Sequence, residues 1–303
     1  MSYRPYLFGA AAMLSIAGAA IAQQQGPDFN AVQITAQEIR PGVAVLFGFG
    51  GNIGVSHGPD GTMIVDDQFA PLTGKIQGAL AGLGATPVKY LVNTHWHFDH
   101  AQGNENFGNA GAIIFAQDRV RDRLIVGGTV AGNTAPPAPA AALPVVTYAH
   151  GVTFHLNGDT IDVIHTGGGH TDGDSVVYWR KANVLHTGDM MMVQSGYPFV
   201  DLSSGGNVEH LLTSLDQLIA MTNADTIIIP GHGPLARRGD LIAWRDMIAT
   251  AVTRVTALKD ARRTLEQAKA AKPLDGLNSD TNTFFQPDAF VESIWGSLEA
   301  HGK

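Results

Sequence analysis

The stretch Thr94-His95-Trp96-His97-Phe98-Asp99-His100 places three histidines and an aspartate within six residues, directly after the apolar run Val88–Val92. Imidazole nitrogens and carboxylate oxygens at this density are donors for a metal ion. If Val88–Val92 is a buried strand, residues two apart at its end point the same way, and His95 and His97 converge on one ion. If the chain turns into a helix after Phe98, Asp99 and His100 project beside that pair, where they could hold a second ion about 4 Å away. The plainer alternative, four polar residues in solvent or core, is costly. So many imidazoles and a carboxylate are desolvated together only when something positive compensates them.

Further His and Asp residues stand just past other apolar runs: Asp66-Asp67, His165 to Asp172 with His170 in a glycine-rich turn, His186-Thr187-Gly188-Asp189, and Pro230-Gly231-His232-Gly233-Pro234. Strand ends in an α/β fold share one edge, so donors from separate strands can meet in one cleft while neighbouring glycines let the backbone turn sharply. Asp66 and Asp67 read equally as helix caps or as partners that support a metal ligand. Asp174 and Thr171 likewise read as turn formers or as support for the ligand region. His165 and His186 read as structural histidines at inner strand ends.

The elements that must position these groups follow from periodicity. Val32–Glu38, Val43–Phe47, Asn52–Ser56 and Thr62–Val65 read as strands, with a tight, mobile turn at Gly48–Gly51 and a hairpin at Pro59-Asp60-Gly61. Leu72–Leu83 is helical, so strand, helix and strand alternate into the His95 motif as a parallel βαβ unit. A strand at Ala112–Ala116 and a helix at Gln117–Ile125 come next, then a Gly, Ala and Pro-rich stretch, 127–143, expected as a long surface loop. A second strand series covers Val145–Tyr148, Val152–Leu156, Thr160–His165, Ser175–Trp179 and Asn183–Leu185. Val208–Met221 is a helix, Thr226–Ile229 a buried strand, and helical patterns cover Leu241–Ala271 and Pro287–Leu298. Phe284, Phe285, Phe290 and Trp295 in this tail read as core-facing.

The order of these motifs resembles the metallo-β-lactamase superfamily: a His-x-His-x-Asp-His motif, a Gly-His-Thr, a Gly-Asp or Cys, and a late Gly-His, spread over nearly all the chain. The resemblance implies a four-layer αββα sandwich with a dinuclear metal site along one edge of the sheets. It implies that His95, His97 and His170 bind the first ion, that Asp99, His100 and His232 bind the second, and that Asp189 bridges them. The run Gly169 to Trp179 looks most like the zinc β-lactamases that carry a Cys ligand, yet Asp189 takes the place of that Cys. Met192 stands where those enzymes carry a Lys for the substrate carboxylate, and the Gly48–Gly51 turn is shorter than their flap.

With 303 residues, 45% hydrophobic and 15% charged, the chain suffices for one large domain, 23–303, that includes the C-terminal helical region. A net charge of -8 and no Lys/Arg cluster argue against nucleic acid as a partner. Arg4, the apolar run Tyr6–Ala20 and Ala20-Ile21-Ala22 form a signal-peptide pattern over 1–22, which implies a periplasmic or secreted protein with no stable membrane anchor after cleavage. The absence of cysteine excludes disulfides and thiolate ligands.

Nitrogen and oxygen donors suit two Zn2+ ions and also admit Fe or Mn. The expected chemistry is hydrolysis of a small-molecule amide, ester, lactone or thioester, with β-lactams among the possible substrates. The ions would activate water and polarise the carbonyl, and Asp99 would orient or relay the proton. The alternatives are an iron-dependent redox member of the superfamily and a non-catalytic metal-binding protein. Those relatives that reduce oxygen normally need an attached flavin domain, and silent members would be expected to lose ligands.

Overall fold

A computed structural model describes residues 27–85, 87–278 and 285–300. The segment 1–22 read as a signal peptide, and Phe284, lie outside the described residues. The first half of the chain contains β1 (Thr35–Arg40), β2 (Val43–Phe47), β3 (Ile53–Ser56), β4 (Thr62–Val65), α1 (Thr73–Gly82), β5 (Val88–Val92), α2 (Phe98–Ala101), α3 (Asn104–Asn109), β6 (Ile113–Gln117), α4 (Asp118–Val126), β7 (Gly128–Val130), β8 (Asn133–Ala135) and β9 (Val146–Tyr148). The second half contains β10 (Gly151–Leu156), β11 (Asp159–His165), β12 (Ser175–Trp179), β13 (Val184–His186), α5 (Val208–Met221), β14 (Ile227–Ile229), β15 (Ala236–Arg237), α6 (Arg238–Asp260), α7 (Leu265–Ala270) and α8 (Pro287–Ala300).

Two large sheets result, in the orders β1-β2-β3-β4-β5-β6-β9 and β10-β11-β12-β13-β14-β15, beside a two-stranded β7-β8 sheet. Alternation along the strands divides their side chains between layers. Val43, Val45, Met63 and Val92 of the first sheet meet Val163, Val177, Ile227 and Ile229 of the second in a shared core. The intervening Ala44, Leu46 and Ile64 face Ile76 and Leu80 of α1 and Phe107 of α3. On the far side, Val176, Leu185 and Ile228 pack against Leu211 and Leu215 of α5, Ile248 of α6 and Ile294 of α8. The outcome is the αββα sandwich that the motifs imply.

Strand direction then gathers the site. The parallel β4–β5 pair aligns Val65 with Val92, so Asp66 and the Thr94–His100 stretch leave the sheet at one end. The parallel β13–β14 pair aligns His186 with Ile229, so Asp189 and His232 also leave together. The antiparallel β11–β12 pair sets His165 opposite Ser175 and closes the glycine-rich turn at that same end. Ser175 N donates to Thr94 O at 2.8 Å and ties the two edges together.

Stretch 127–143 is more ordered than a surface loop. It forms the β7–β8 hairpin and a single 3-10 turn at Ala140–Ala142, and Val130 is buried with Trp96, Val120 and Leu124. Apolar contact with Trp96, between two ligand positions, is the long-range feature that composition alone does not reveal. The helical pattern over Leu241–Ala271 resolves into α6 and α7. Arg262 adopts a left-handed φ of 56° between them, and Thr264 caps the restart by accepting from Gln267 N at 3.2 Å. No helix among the described residues is long and apolar enough to cross a membrane.

Candidate metal centre

His95 and His97 follow β5 in the irregular stretch before α2; they converge as expected, although not within the strand, and His170 joins them from the turn between β11 and β12. His95 Nδ1 lies 3.0 Å from Thr94 Oγ1, which donates to Asp66 Oδ2 at 2.7 Å, so the ring donates to the hydroxyl. His97 Nε2 donates to Asp201 Oδ2 at 2.9 Å, and His170 Nδ1 to the Phe199 carbonyl at 2.6 Å. Each outer nitrogen thus carries the proton, leaving His95 Nε2, His97 Nδ1 and His170 Nε2 as lone pairs turned toward one another. His97 Nδ1 and His170 Nε2 approach to 2.9 Å, and buried His95 Nε2 has no hydrogen-bond partner. Facing lone pairs repel, and a buried acceptor without a donor is costly; a cation held among the three relieves both.

The short α2 helix turns Asp99 and His100 toward His232, forming the second cluster. His100 Nδ1 faces Asp66 Oδ2 at 2.8 Å, so its Nε2 points inward, 3.2 Å from His232 Nε2. Asp99 Oδ2 lies 3.2 Å from His232 Nε2 and its side chain is 23% exposed, the open side of the cluster. Asp189 belongs to both groups. Its Oδ1 is 3.1 Å from His100 Nε2 and 3.5 Å from His232 Nε2, while its Oδ2 is 3.6 Å from His170 Nε2 and 4.0 Å from His95 Nε2. All seven residues expected as ligands are therefore brought together.

The titration of these groups reflects the crowding. Burial, and then the imidazoles of His100 and His170, hold His95 well below its usual value, and burial with His97 lowers His170 to about 4. Burial works the same way on His100, yet Asp189, Asp99 and Asp66 outweigh it and raise this histidine well above the usual range. His232 is raised to about 9 against its burial by Asp189 and Asp99. Burial would raise Asp189, but His100 and His232 keep it far below an ordinary carboxylate.

The supporting residues resolve several alternatives. Asp66 accepts from Thr94 N and Oγ1, both at 2.7 Å, as well as facing His100, so it supports candidate ligands. Asp67 instead accepts from Gly103 N at 2.9 Å, next to the start of α3. Asp174 accepts from His170 N at 2.7 Å and from Thr171 Oγ1 at 2.5 Å, building the turn that carries His170. His186 Nδ1 accepts from Gly188 N at 3.1 Å and its Nε2 donates to Asn52 O at 2.9 Å, a structural role beside Asp189; His165 Nδ1 contacts the Asp174 carbonyl at 2.7 Å.

Asp201 and Asn52 were not singled out by the sequence. Asn52 Nδ2 donates to the carbonyls of Pro230 and Gly233, each at 2.8 Å, and so clamps the loop bearing His232. Asn52 lies directly beyond Gly51, and a turn next to a strand was the one available signal for it. Gly231 explains its own residue type: a Cβ there would lie 2.0 Å from Asp189 Oδ1.

Residues 47–232, more than half of the chain, match the family model of the metallo-beta-lactamase superfamily. The chain belongs to this superfamily. Among curated relatives of this metallo-beta-lactamase superfamily member, Metallo-beta-lactamase IND-1 of Chryseobacterium indologenes is 27% identical over 48% of this chain and 56% of its own length. The Probable metallo-hydrolase YqgX of Bacillus subtilis (strain 168) is 29% identical over 53% of this chain and 75% of its own. The matched region thus spans little more than half of IND-1. In fold, the superfamily member resembles a metallo-beta-lactamase from Pontibacter korlensis, with TM-score 0.60 and 20% identity over 72% of this chain and 99% of that one. It also resembles a double mutant of the sec-alkyl sulfatase PisA1, with TM-score 0.66 and 16% identity over 88% and 50% of the two chains. Superfamily membership and the His/Asp cluster together point to a metal-binding site.

Proposed function

We propose that the protein is an exported, dinuclear metal-dependent hydrolase, with Zn2+ as its metal, acting on a small-molecule amide, ester, lactone or thioester. The observation that carries this reading is Asp189, whose two oxygens face two different histidine clusters. His95, His97 and His170 would hold one ion, Asp99, His100 and His232 the other, and Asp189 would join them. Bound ions would supply Lewis acidity, lowering the pKa of water toward about 7 and polarising a carbonyl.

The chain contributes orientation and a proton path. Asp201 and the Phe199 carbonyl hold the first cluster's rings with their lone pairs inward, and Asp66 does so for His100. In the reaction, a water oxygen bonds to the carbonyl carbon, the bond to the leaving nitrogen, oxygen or sulfur breaks, and the leaving atom gains a proton. In this reading Asp99 carries that proton, supported by its position beside His232 and its partial exposure to solvent. β-Lactams are secondary substrates in this reading: the Met192 side chain offers no charge for their carboxylate, and Met192 is only 2% exposed.

Metal analysis of protein purified without added metal, combined with an ester, lactone, thioester and β-lactam panel, tests the proposal. Zinc with chelator-sensitive hydrolysis is the expected result. Redox-active iron with no hydrolysis of any carbonyl compound would sink it in favour of the redox alternative, for which an all-nitrogen-and-oxygen donor set is equally suitable.

A further inference from the structure

The aromatic residues of the C-terminal tail part ways. Phe290 and Trp295 lie in the core against α5 and α6, as their spacing predicts. Phe285 instead stacks on Phe199: the ring centroids are 5.1 Å apart, the planes differ by 2°, and both residues are partly exposed. Phe199 in turn leans on two ligand rings, with centroids 5.8 Å from His97 and 5.5 Å from His170. The stack starts at the first cluster and extends away from it. Its outer ring is fixed through the backbone, where Phe285 N donates to Ser195 O at 3.2 Å and Tyr197 N to Phe285 O at 3.4 Å.

Among the described residues, no Lys or Arg makes an ion pair with any of the seven donors; their ion pairs are with one another and with Asp66 and Asp201. A charged substituent placed against the two phenyl faces would lose hydration without gaining a partner, whereas a flat apolar one would exchange water for aromatic contact.

Resting on the hydrolase reading, we infer that Phe199 and Phe285 form an apolar subsite beside the first cluster that seats a flat uncharged substituent, such as a phenyl ring, of the substrate acyl group. Phe285 lies beyond residues 47–232, so the outer of the two rings is supplied by the part of the chain outside the family match, and Phe199 by the part inside it. It selects aryl-substituted carbonyl compounds over carboxylate-bearing ones.

The test compares two metal-binding probes that share a head group, acetohydroxamate and phenylacetohydroxamate, titrated calorimetrically into the metal-loaded protein. The phenyl compound should bind about tenfold or more tightly than the methyl compound, the size of effect that an aromatic contact with burial provides. In Phe285→Ala that ratio should fall to about threefold or less, with Phe285→Leu, apolar but not flat, between the two. Metal content is measured for each variant, and Phe285→Leu supplies the answer if the alanine variant loses metal. A ratio near one in the parent, or a ratio unchanged in both variants, would overturn the inference. Hydroxamate binding needs no turnover. A full phenyl preference without hydrolysis of any carbonyl compound would refute the hydrolase reading and keep the subsite, while hydrolysis with no phenyl preference would refute the subsite alone.

Discussion

Asp201 holds His97 from behind: its Oδ2 lies 2.9 Å from Nε2 of the imidazole, and Nδ1 is thereby left to face His170. The same carboxylate accepts from the hydroxyls of Ser203 and Ser204, and Ser204 Oγ also accepts from Trp96 Nε1 at 3.0 Å. The network orients one ligand through a residue between two ligands. Asp201→Ala is expected to weaken the first ion's affinity by about 10 to 100-fold, the usual cost of losing such a partner, and Asp201→Asn by less. Chelator competition measures this; an unchanged affinity in the alanine variant would remove Asp201 from the site.

Asp189 faces both clusters, with Oδ1 toward His100 and His232 and Oδ2 toward His170 and His95, so its removal should be felt at the second ion first. Asp189→Ala should retain about one ion per chain and hydrolyse at least about 100-fold more slowly, because both ions lose a shared carboxylate. Metal-to-protein ratios and steady-state rates read the two effects separately. Asp189→Cys should not produce an efficient β-lactamase, since Met192 still leaves the antibiotic's carboxylate unpaired. A large gain in carbapenem or cephalosporin turnover with Met192 untouched would show that the ligand alone sets specificity.

Proton competition should fill the two clusters in order. A histidine must be neutral to ligate, so a raised pKa weakens metal binding below that pKa, and a lowered one leaves the ligand ready. His170, lowered to about 4, and His95, also lowered, are ready near neutrality, whereas His232, raised to about 9, and His100, also raised, must release protons. Titration of the metal-free protein at about pH 6 should therefore saturate near one ion, and approach two as pH rises toward about 9. Equal affinities for both ions across that range would contradict the assignment.

Export predicts a specific chain start. Protein recovered from outside the cytoplasm should begin at Gln23, following removal of 1–22. N-terminal sequencing checks it, and an intact Met1 on that material would overturn the proposal.

By itself the sequence determined the donors and the strand ends that carry them. His95 and His97 could be paired from two-residue alternation, and Asp99 and His100 from a helical turn, because both depend on backbone geometry within six residues. The positions of His170, Asp189 and His232 were legible as strand ends and through the superfamily pattern. Tertiary structure alone decided their partners. Asp201 reaches His97 across 104 positions, and Asn52 reaches Gly233 across 181; no periodicity reveals either pairing, since such a hydrogen bond depends on where distant backbone is brought. Phe285 shows the same limit for apolar residues. Hydrophobicity marked it for burial, but whether an apolar ring meets the core or the wall of a cleft depends on how the tail crosses the sheet, and here the backbone pairing with Ser195 and Tyr197 sets it against Phe199.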